Sequence, residues 1–343
     1  MIYTEYIKIA SSVVHIVGNK ASDEGLYLSD DLLTLDENTS QILLKYLLSP
    51  FKSDDYYHMW HESNLLLNEA YSFACKIFED RYSFLEMSKA FARHLYAHSN
   101  HPKIKIGELC IVYLRNVIVD TTTCDALGIF KSENKDTFLQ IKTERGRVTM
   151  QSETGINVNR LNKGCIIFNT QKENGFLVSV VDSTNRLNEA KYWTDDFLKV
   201  RPLANSYNQT EHLLTITREY ISHLPDVGHK VQKANYVNRS VEAFSRTNVN
   251  LEEFSHEVFQ DESKERDFAE YAQKRASEIG LSFNNEFEVS TQAVKRKNRA
   301  SMTTIKLDTN FDIHIRGGEQ YIEQGFDEQR GMKFYKLYYN EEN

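Results

Sequence analysis

The run ELCIVYLRNVIVD, Glu108–Asp120, constrains the fold of this chain more than any other stretch. It is rich in β-branched and aromatic residues, as a mostly buried strand should be. ALGIFKS (Ala126–Ser132), TFLQIKT (Thr137–Thr143), CIIFNT (Cys165–Thr170) and GFLVSVVD (Gly175–Asp182) repeat the pattern. Turn signals such as SENKD (Ser132–Asp136) and QKENG (Gln171–Gly175) separate several of them. Strands joined by short turns imply an antiparallel meander.

Helical spacing precedes this block. Asn38-Thr39-Ser40 can cap a helix with Ile42, Leu43, Tyr46 and Leu47 on one face, ended by Pro50. Asn64 is expected to cap a helix through Phe78, with Leu66, Ala70, Phe73 and Ile77 at 3–4 spacing. Ser83-Phe84-Leu85-Glu86 reads as a capping box for a helix burying Phe84, Met87, Phe91 and Leu95. Upstream, Tyr6 to Val17 reads as extended and Gly25–Leu28 as a turn into a short strand.

Beyond Arg201-Pro202 the helical period returns over Gln209–Leu224, Gly228–Arg246, 251–258 and Glu262–Ile279, the last closed by Gly280. Four strands end the chain: Thr303–Leu307, Phe311–Arg316, Tyr321–Phe326 and Lys333–Tyr339. The expected class is therefore α+β, with N-terminal helices and a largely antiparallel sheet, then a helical region ending in a small antiparallel β-sheet. At 343 residues two domains are expected, 1–203 as an α+β domain and 204–343 as a helical domain with a terminal β-meander.

No apolar run reaches the ~18 residues of a membrane span. The N-terminus lacks a basic n-region and reads as a strand of the mature protein. Cys75, Cys110, Cys124 and Cys165 are widely spaced with no CxxC pair, as buried reduced thiols of a cytoplasmic protein would be. Phosphate-loop, nucleophile-elbow, dinucleotide-binding and HExxH patterns are all missing, so neither a catalytic motif nor a cofactor is implied. Gly317-Gly318 reads as a hairpin turn. His58 with His61, and His94 with His98 and His101, have chelating spacings, but no carboxylate or cysteine lies at a matching spacing, and no metal is expected. The pairs Asp30-Asp31, Asp54-Asp55, Asp195-Asp196 and Glu252-Glu253 read as caps or solvated turns.

Charge leaves one candidate. The chain carries a formal net charge of -8, which opposes a uniform nucleic-acid-binding surface and restricts any DNA contact to a local patch or a protein partner. Lys295, Arg296, Lys297 and Arg299 form a basic knot just beyond the helix-compatible STQAV. Lys230, Lys233, Arg239 and Arg246 extend it if the two groups meet in space. Between them, 251–270 holds Glu252, Glu253, Glu257, Asp261, Glu262, Glu265, Asp267 and Glu270, either a solvated helix face or an acidic docking surface.

The residues around the knot also carry a family likeness. FEVSTQAVKRKNR (Phe287–Arg299), then TIKLDTNFDIHIRGGEQYIEQGF (Thr304–Phe326) and a final aromatic strand, resemble the C-terminal region of the bacterial nucleoid-associated NdpA/YejK family. There an acidic helix leads to a short basic helix and to a strand pair centred on an N-F-D step, matched here by Asn310-Phe311-Asp312. ELCIVYLRNVIVDTTTCDALGIF and INVNRLNKGCIIF (Ile156–Phe168) resemble its hydrophobic strand region, while the N-terminal third and 121–151 match least. The resemblance implies a non-enzymatic cytoplasmic protein of the nucleoid, linked to DNA and to type II topoisomerases. It supplies no binding residues; the choice of Lys295–Arg299 rests on charge.

Overall fold

The computed structural model describes all residues except 1, 4, 5, 145, 184–190, 226–229, 299–302, 309, 316–320 and 342–343. The chain divides into two compact units, Met1–Leu203 and Ala204–Asn343. The class is α+β.

The first unit runs β1 (Ile2–Tyr3), β2 (Lys8–Val17), β3 (Leu26–Tyr27), α1 (Glu37–Leu48), β4 (Tyr56–Met59), α2 (Glu69–Glu79) and α3 (Phe84–His98). It continues as β5 (Gly107–Val119), β6 (Thr122–Ser132), β7 (Lys135–Glu144), β8 (Arg147–Ile156), β9 (Lys163–Phe168), β10 (Leu177–Asp182) and β11 (Val200–Pro202). Nine strands form one antiparallel sheet in the order β11-β4-β10-β9-β6-β5-β2-β3, with β1 also beside β5. The sheet is therefore not a plain meander. Strand β6 pairs with β5 on one side and, skipping β7 and β8, with β9 on the other, while β7 and β8 form a separate hairpin. TFLQIKT is a strand, but it lies outside the main sheet. The polar β8 and the short β4 and β11 carry too weak an apolar signal to be read in advance.

Both faces of the sheet are covered, which accounts for the unbroken apolar run of β5. Leu109, Ile111 and Tyr113 enter a core with Ala74 and Ile77 of α2 and Phe91 and Leu95 of α3. Cys110, Val112 and Leu114 enter a second core with Tyr46 and Leu47 of α1. Successive side chains of a strand point to opposite faces. A register shift between Leu114 and Val117, with Asn116 at φ 58, changes the parity, so that Val117 and Val119 stay in the second core.

Two expected helix starts are displaced, each because a better-placed polar group acts first, and a third lacks its expected cap. α1 is capped by Asp36, whose Oδ1 accepts from the Thr39 N–H at 2.7 Å, not by Asn38-Thr39-Ser40. A carboxylate suits the positive helix end. Asn64 caps only the single turn Leu65–Leu67, leaving Leu66 exposed. α2 begins under Asn68, which is buried and whose Oδ1 accepts from the Tyr71 N–H at 3.0 Å. Its Nδ2 donates to the carbonyls of Trp60, Leu198 and Lys199 at 3.0–3.1 Å. Ser83 forms no capping box. α3 does start after Ser83 as expected, but Ser83 closes the Asp80-capped turn Arg81–Ser83 and is already helical, so its hydroxyl donates to the Lys76 and Asp80 carbonyls.

The second unit contains α4 (Ser206–His223), α5 (Lys230–Ala243), β12 (Asn248–Asn250), α6 (Leu251–Phe259), α7 (Glu262–Glu278), β13 (Glu286–Glu288) and α8 (Thr291–Asn298). The hairpins β14 (Thr303–Leu307)–β15 (Phe311–Ile315) and β16 (Ile322–Asp327)–β17 (Met332–Leu337) follow. Gly280 takes φ 72 and ends α7, with the Leu281 N–H donating to the Ala276 carbonyl at 2.9 Å. The core is aromatic: Phe268 lies 5.0 Å from Phe259 and 5.4 Å from Tyr220 between ring centroids. Leu307, Ile313, Ile322 and Tyr335 of the terminal hairpins pack around Ala234 of α5. The expected start of α5 at Gly228 and the Gly317-Gly318 turn lie outside the described residues.

Two stability outcomes follow from these contacts. Asn68→Ala removes a cap and strips a donor from buried carbonyls, and is expected to cost about 2–4 kcal/mol in denaturant unfolding. A loss no larger than that of an exposed Asn→Ala change would refute the role given to Asn68. His15 is buried, accepts at Nδ1 from the Ser29 N–H at 3.1 Å and faces Ser88 Oγ at 3.0 Å. Burial, with Lys89 and Arg93 nearby, lowers its pKa from 6.5 to about 4. The unfolded chain therefore takes the proton first. The contribution of neutral His15 is intact above pH 6.5 and lost as pH falls toward about 4, by about 2–3 kcal/mol. His15→Gln should flatten stability between those limits; equal pH slopes for the two proteins would disprove it.

Candidate nucleic-acid interface

The basic knot is helical rather than a loop. Lys and Arg are good helix formers and suit a helix C-terminus, so α8 carries Lys295, Arg296 and Lys297 in its last turn. The helix is seated by small polar groups. The Ser290 N–H donates to Thr210 Oγ1 at 3.0 Å, and the Ala293 N–H donates to Ser290 Oγ at 3.3 Å. Ala293 is fully buried beneath it.

Two of these cations bind their own fold. Lys297 Nζ pairs with Glu211 Oε1 at 2.5 Å, and Arg296 Nη1 donates to the buried Tyr207 hydroxyl at 2.8 Å. Arg218 of α4 donates back to the Lys297 carbonyl at 3.4 Å. Burial pushes the Glu211 carboxyl up, but His212, Lys297 and Arg296 outweigh it and hold its pKa below the usual value. Lys295 and Arg296 are exposed and Lys297 is half-buried. Arg299 and the side chain of Lys230 lie outside the described residues.

The other cations of the set divide. Lys233 of α5 donates to the Ser222 carbonyl near the end of α4 at 3.1 Å. Tyr207, Glu211, Arg218 and Ser222 are four, seven and four residues apart, which places them on one face of α4. Arg296, Lys297, Arg218 and Lys233 thus meet a single stripe about 22 Å long. Arg239 and Arg246 turn elsewhere, to the Val258 carbonyl at 3.4 Å and to Glu257 at 2.7 Å. Sequence spacing missed Tyr207, Glu211 and Arg218, because a half-buried carboxylate among cations is visible only once α8 lies on α4.

The acidic segment is partly accounted for by helix starts. Asn250 caps α6 with Glu252 and Glu253 in its first turn, and Asp261 caps α7 while pairing with Lys264 at 2.7 Å. Glu265 pairs with His256 at 3.1 Å. Glu252, Glu253, Glu262, Asp267 and Glu270 remain exposed.

Other polar clusters close on themselves. Among the described residues no group of three or more His, Cys, Asp or Glu is placed to hold a metal ion. His94 lies 3.0 Å from the Phe197 carbonyl and His58 lies 2.7 Å from Gln171 Oε1. Lys131, Lys163 and Asp182 stand in register across β6, β9 and β10. Lys131 meets Glu133 at 3.2 Å and the Lys105 carbonyl at 2.8 Å, while Lys163 meets Asp182 at 2.7 Å. Tyr192 donates to Glu133 at 3.1 Å. Burial lowers the Lys131 pKa against the pull of Glu133. This row is a satisfied buried network that ties three strand ends together.

No helix of the described residues is long and apolar enough to cross a membrane. Comparison with curated proteins finds no match. A family model described as nucleoid-associated protein YejK matches residues 13–330, from within β2 to the turn after β16. With most of its length matched by that model, the chain belongs to the YejK family of nucleoid-associated proteins.

Proposed function

We propose that this is a non-enzymatic protein of the bacterial nucleoid, cytoplasmic, that contacts DNA locally through Lys295, Arg296 and Lys297 of α8, with Arg299, Lys230 and Lys233 extending the patch. Family membership supports association with the nucleoid. The observation that carries the choice of surface is the stripe on α4, where α8 and Lys233 meet one helix face. An acidic chain needs such a local site, since phosphates are repelled by its average surface. The role asked of these residues is charge neutralisation of neighbouring phosphates, which carries no sequence preference by itself.

Binding to duplex DNA is then salt-dependent. Three to four neutralised phosphates give a log–log salt slope of about −2.7 to −3.6. Lys295→Ala should reduce the slope by about 0.9 without changing thermal stability. Titrations in which wild type shows no salt dependence, or in which Lys295→Ala changes nothing, would refute direct contact through α8. Glu211→Gln removes the anion that competes for Lys297 and should tighten binding at low salt by roughly two- to fivefold. Unchanged or weaker binding by a folded Glu211→Gln protein would count against Lys297 as a contact.

A second reading is favoured by the exposed carboxylates of α6 and α7. In it the chain is an adaptor that docks Glu252, Glu253, Glu262, Asp267 and Glu270 on a DNA-acting enzyme such as a type II topoisomerase. Purified protein that fails to bind DNA alone but retains a topoisomerase subunit, and loses it when these residues become Gln, would favour this reading over the first.

A further inference from the structure

Each carboxylate oxygen of Glu211 has its own partner. Oε1 pairs with Lys297 Nζ of α8 at 2.5 Å, and Oε2 lies 3.6 Å from Nδ1 of His212 on its own helix. Lys297 carries a fixed charge, whereas the charge of His212 is set by the proton. A separation of 3.6 Å is within reach of an ion pair but too long for a good hydrogen bond, so the two groups interact through charge. The side chains of His212 and Glu211 are 21 % and 20 % exposed. They are shielded from full solvent screening yet open to protons and salt.

The other charged groups around this pair are accounted for. On α8, Arg296 acts on Glu211 while its Nη1 donates to the Tyr207 hydroxyl. On α4, Arg218 feels the Glu211 charge and donates to the Lys297 carbonyl. Helices α5 and α7 and strand β13 also pack on α4. Arg275 of α7 is held by Glu219 and Glu278, and Lys233 of α5 donates to the Ser222 carbonyl. Glu286 and Glu288 of β13 are exposed. Burial pushes the Glu211 carboxyl up, but its cations hold it below the usual value, so it stays ionised near neutral pH.

We propose that Glu211 and His212 make the DNA contact of α8 proton-linked. Glu211 occupies Lys297 in place of a phosphate while His212 is neutral, and a proton on His212 cancels that carboxylate and leaves Lys297 for DNA. This rests on α8 being the surface that meets DNA. With His212 neutral, Glu211 and Lys297 sum to zero charge and the carboxylate repels an incoming phosphate. With His212 protonated the three groups carry one positive charge, and Glu211 has a second cation to satisfy it. Phosphates favour the protonated form in turn, so binding takes up a proton and tightens as pH falls.

Duplex binding by the full chain at fixed salt, followed by fluorescence anisotropy from about pH 8 to about pH 6, tests this across the range in which imidazoles change charge. Wild type is expected to bind roughly three- to tenfold tighter at the acid end, with a log–log salt slope steeper by up to about 0.9. Two variants flatten that dependence from opposite ends. His212→Gln stays as weak as alkaline wild type throughout, and Glu211→Gln is as tight as acidic wild type throughout. His256→Gln, whose partner is Glu265 of α7, leaves the dependence unchanged. Calorimetry near neutral pH in buffers of different ionisation heat should show wild type taking up as much as about one proton on binding, and His212→Gln taking up none. Melting temperatures establish that each variant is folded, and Glu211→Gln decides the case by itself where His212→Gln is not. A folded variant of either position that keeps the wild-type ratio between the two ends overturns the inference and leaves α8 as the DNA contact. Wild type that binds no DNA at either end overturns both.

Discussion

The first unit depends on burial of one sheet from both sides. Strand β5 sends Leu109, Ile111 and Tyr113 to one core and Cys110, Val112 and Leu114 to the other, so neither face tolerates water. Helices α2 and α3 must cover one side and α1 the other, which is why a long apolar strand is flanked by amphipathic helices in this sequence. Close packing reaches the backbone: a Cβ on Gly128 would meet the Phe130 ring at 2.4 Å. At the end of the sheet the pairs Lys131–Glu133 and Lys163–Asp182 close the core with matched charges.

In the second unit the same physics is applied to a helix of eight residues, too short to be stable alone. Helix α8 holds its place through Ala293, a serine cap and the contacts of Arg296 and Lys297 with Tyr207 and Glu211. Its basic residues are at once part of the fold and the proposed contact with DNA. Glu211 sets the balance between the two roles, since it draws Lys297 inward.

How much was legible follows from the strength of local signals. The strands β5, β6, β9 and β10 and helices α4, α6 and α7 could be read because their apolar period is long and their turns are marked. The starts of α1 and α2 were displaced by a few residues because Asp36 and Asn68 act through partners close in sequence that a cap motif does not name, while α3 begins after Ser83 as expected but without its capping box. Strand β8 could not be read, because RVTMQSETGI faces solvent and has little apolar content. The pairing of β6 with β9 is a long-range choice, and local periodicity says nothing about it. Of the candidate site, the charge of Lys295–Lys297 was visible; Tyr207, Glu211 and Arg218 became partners only through the docking of α8 on α4.

The β7–β8 ribbon has a further consequence, for the order in which the chain assembles. Strands β6 and β9 lie side by side in the sheet, yet residues 132–162 separate Lys131 from Lys163. Closing so long a loop is a slow search for an unstructured chain. A hairpin forms locally, on the order of microseconds, and whenever it is closed it holds residues 135 and 156 side by side. The ribbon then acts as a stitch: the search left for β6 and β9 spans only the few residues on either side of it. A segment that contributes almost nothing to the buried core thereby shortens the path to it.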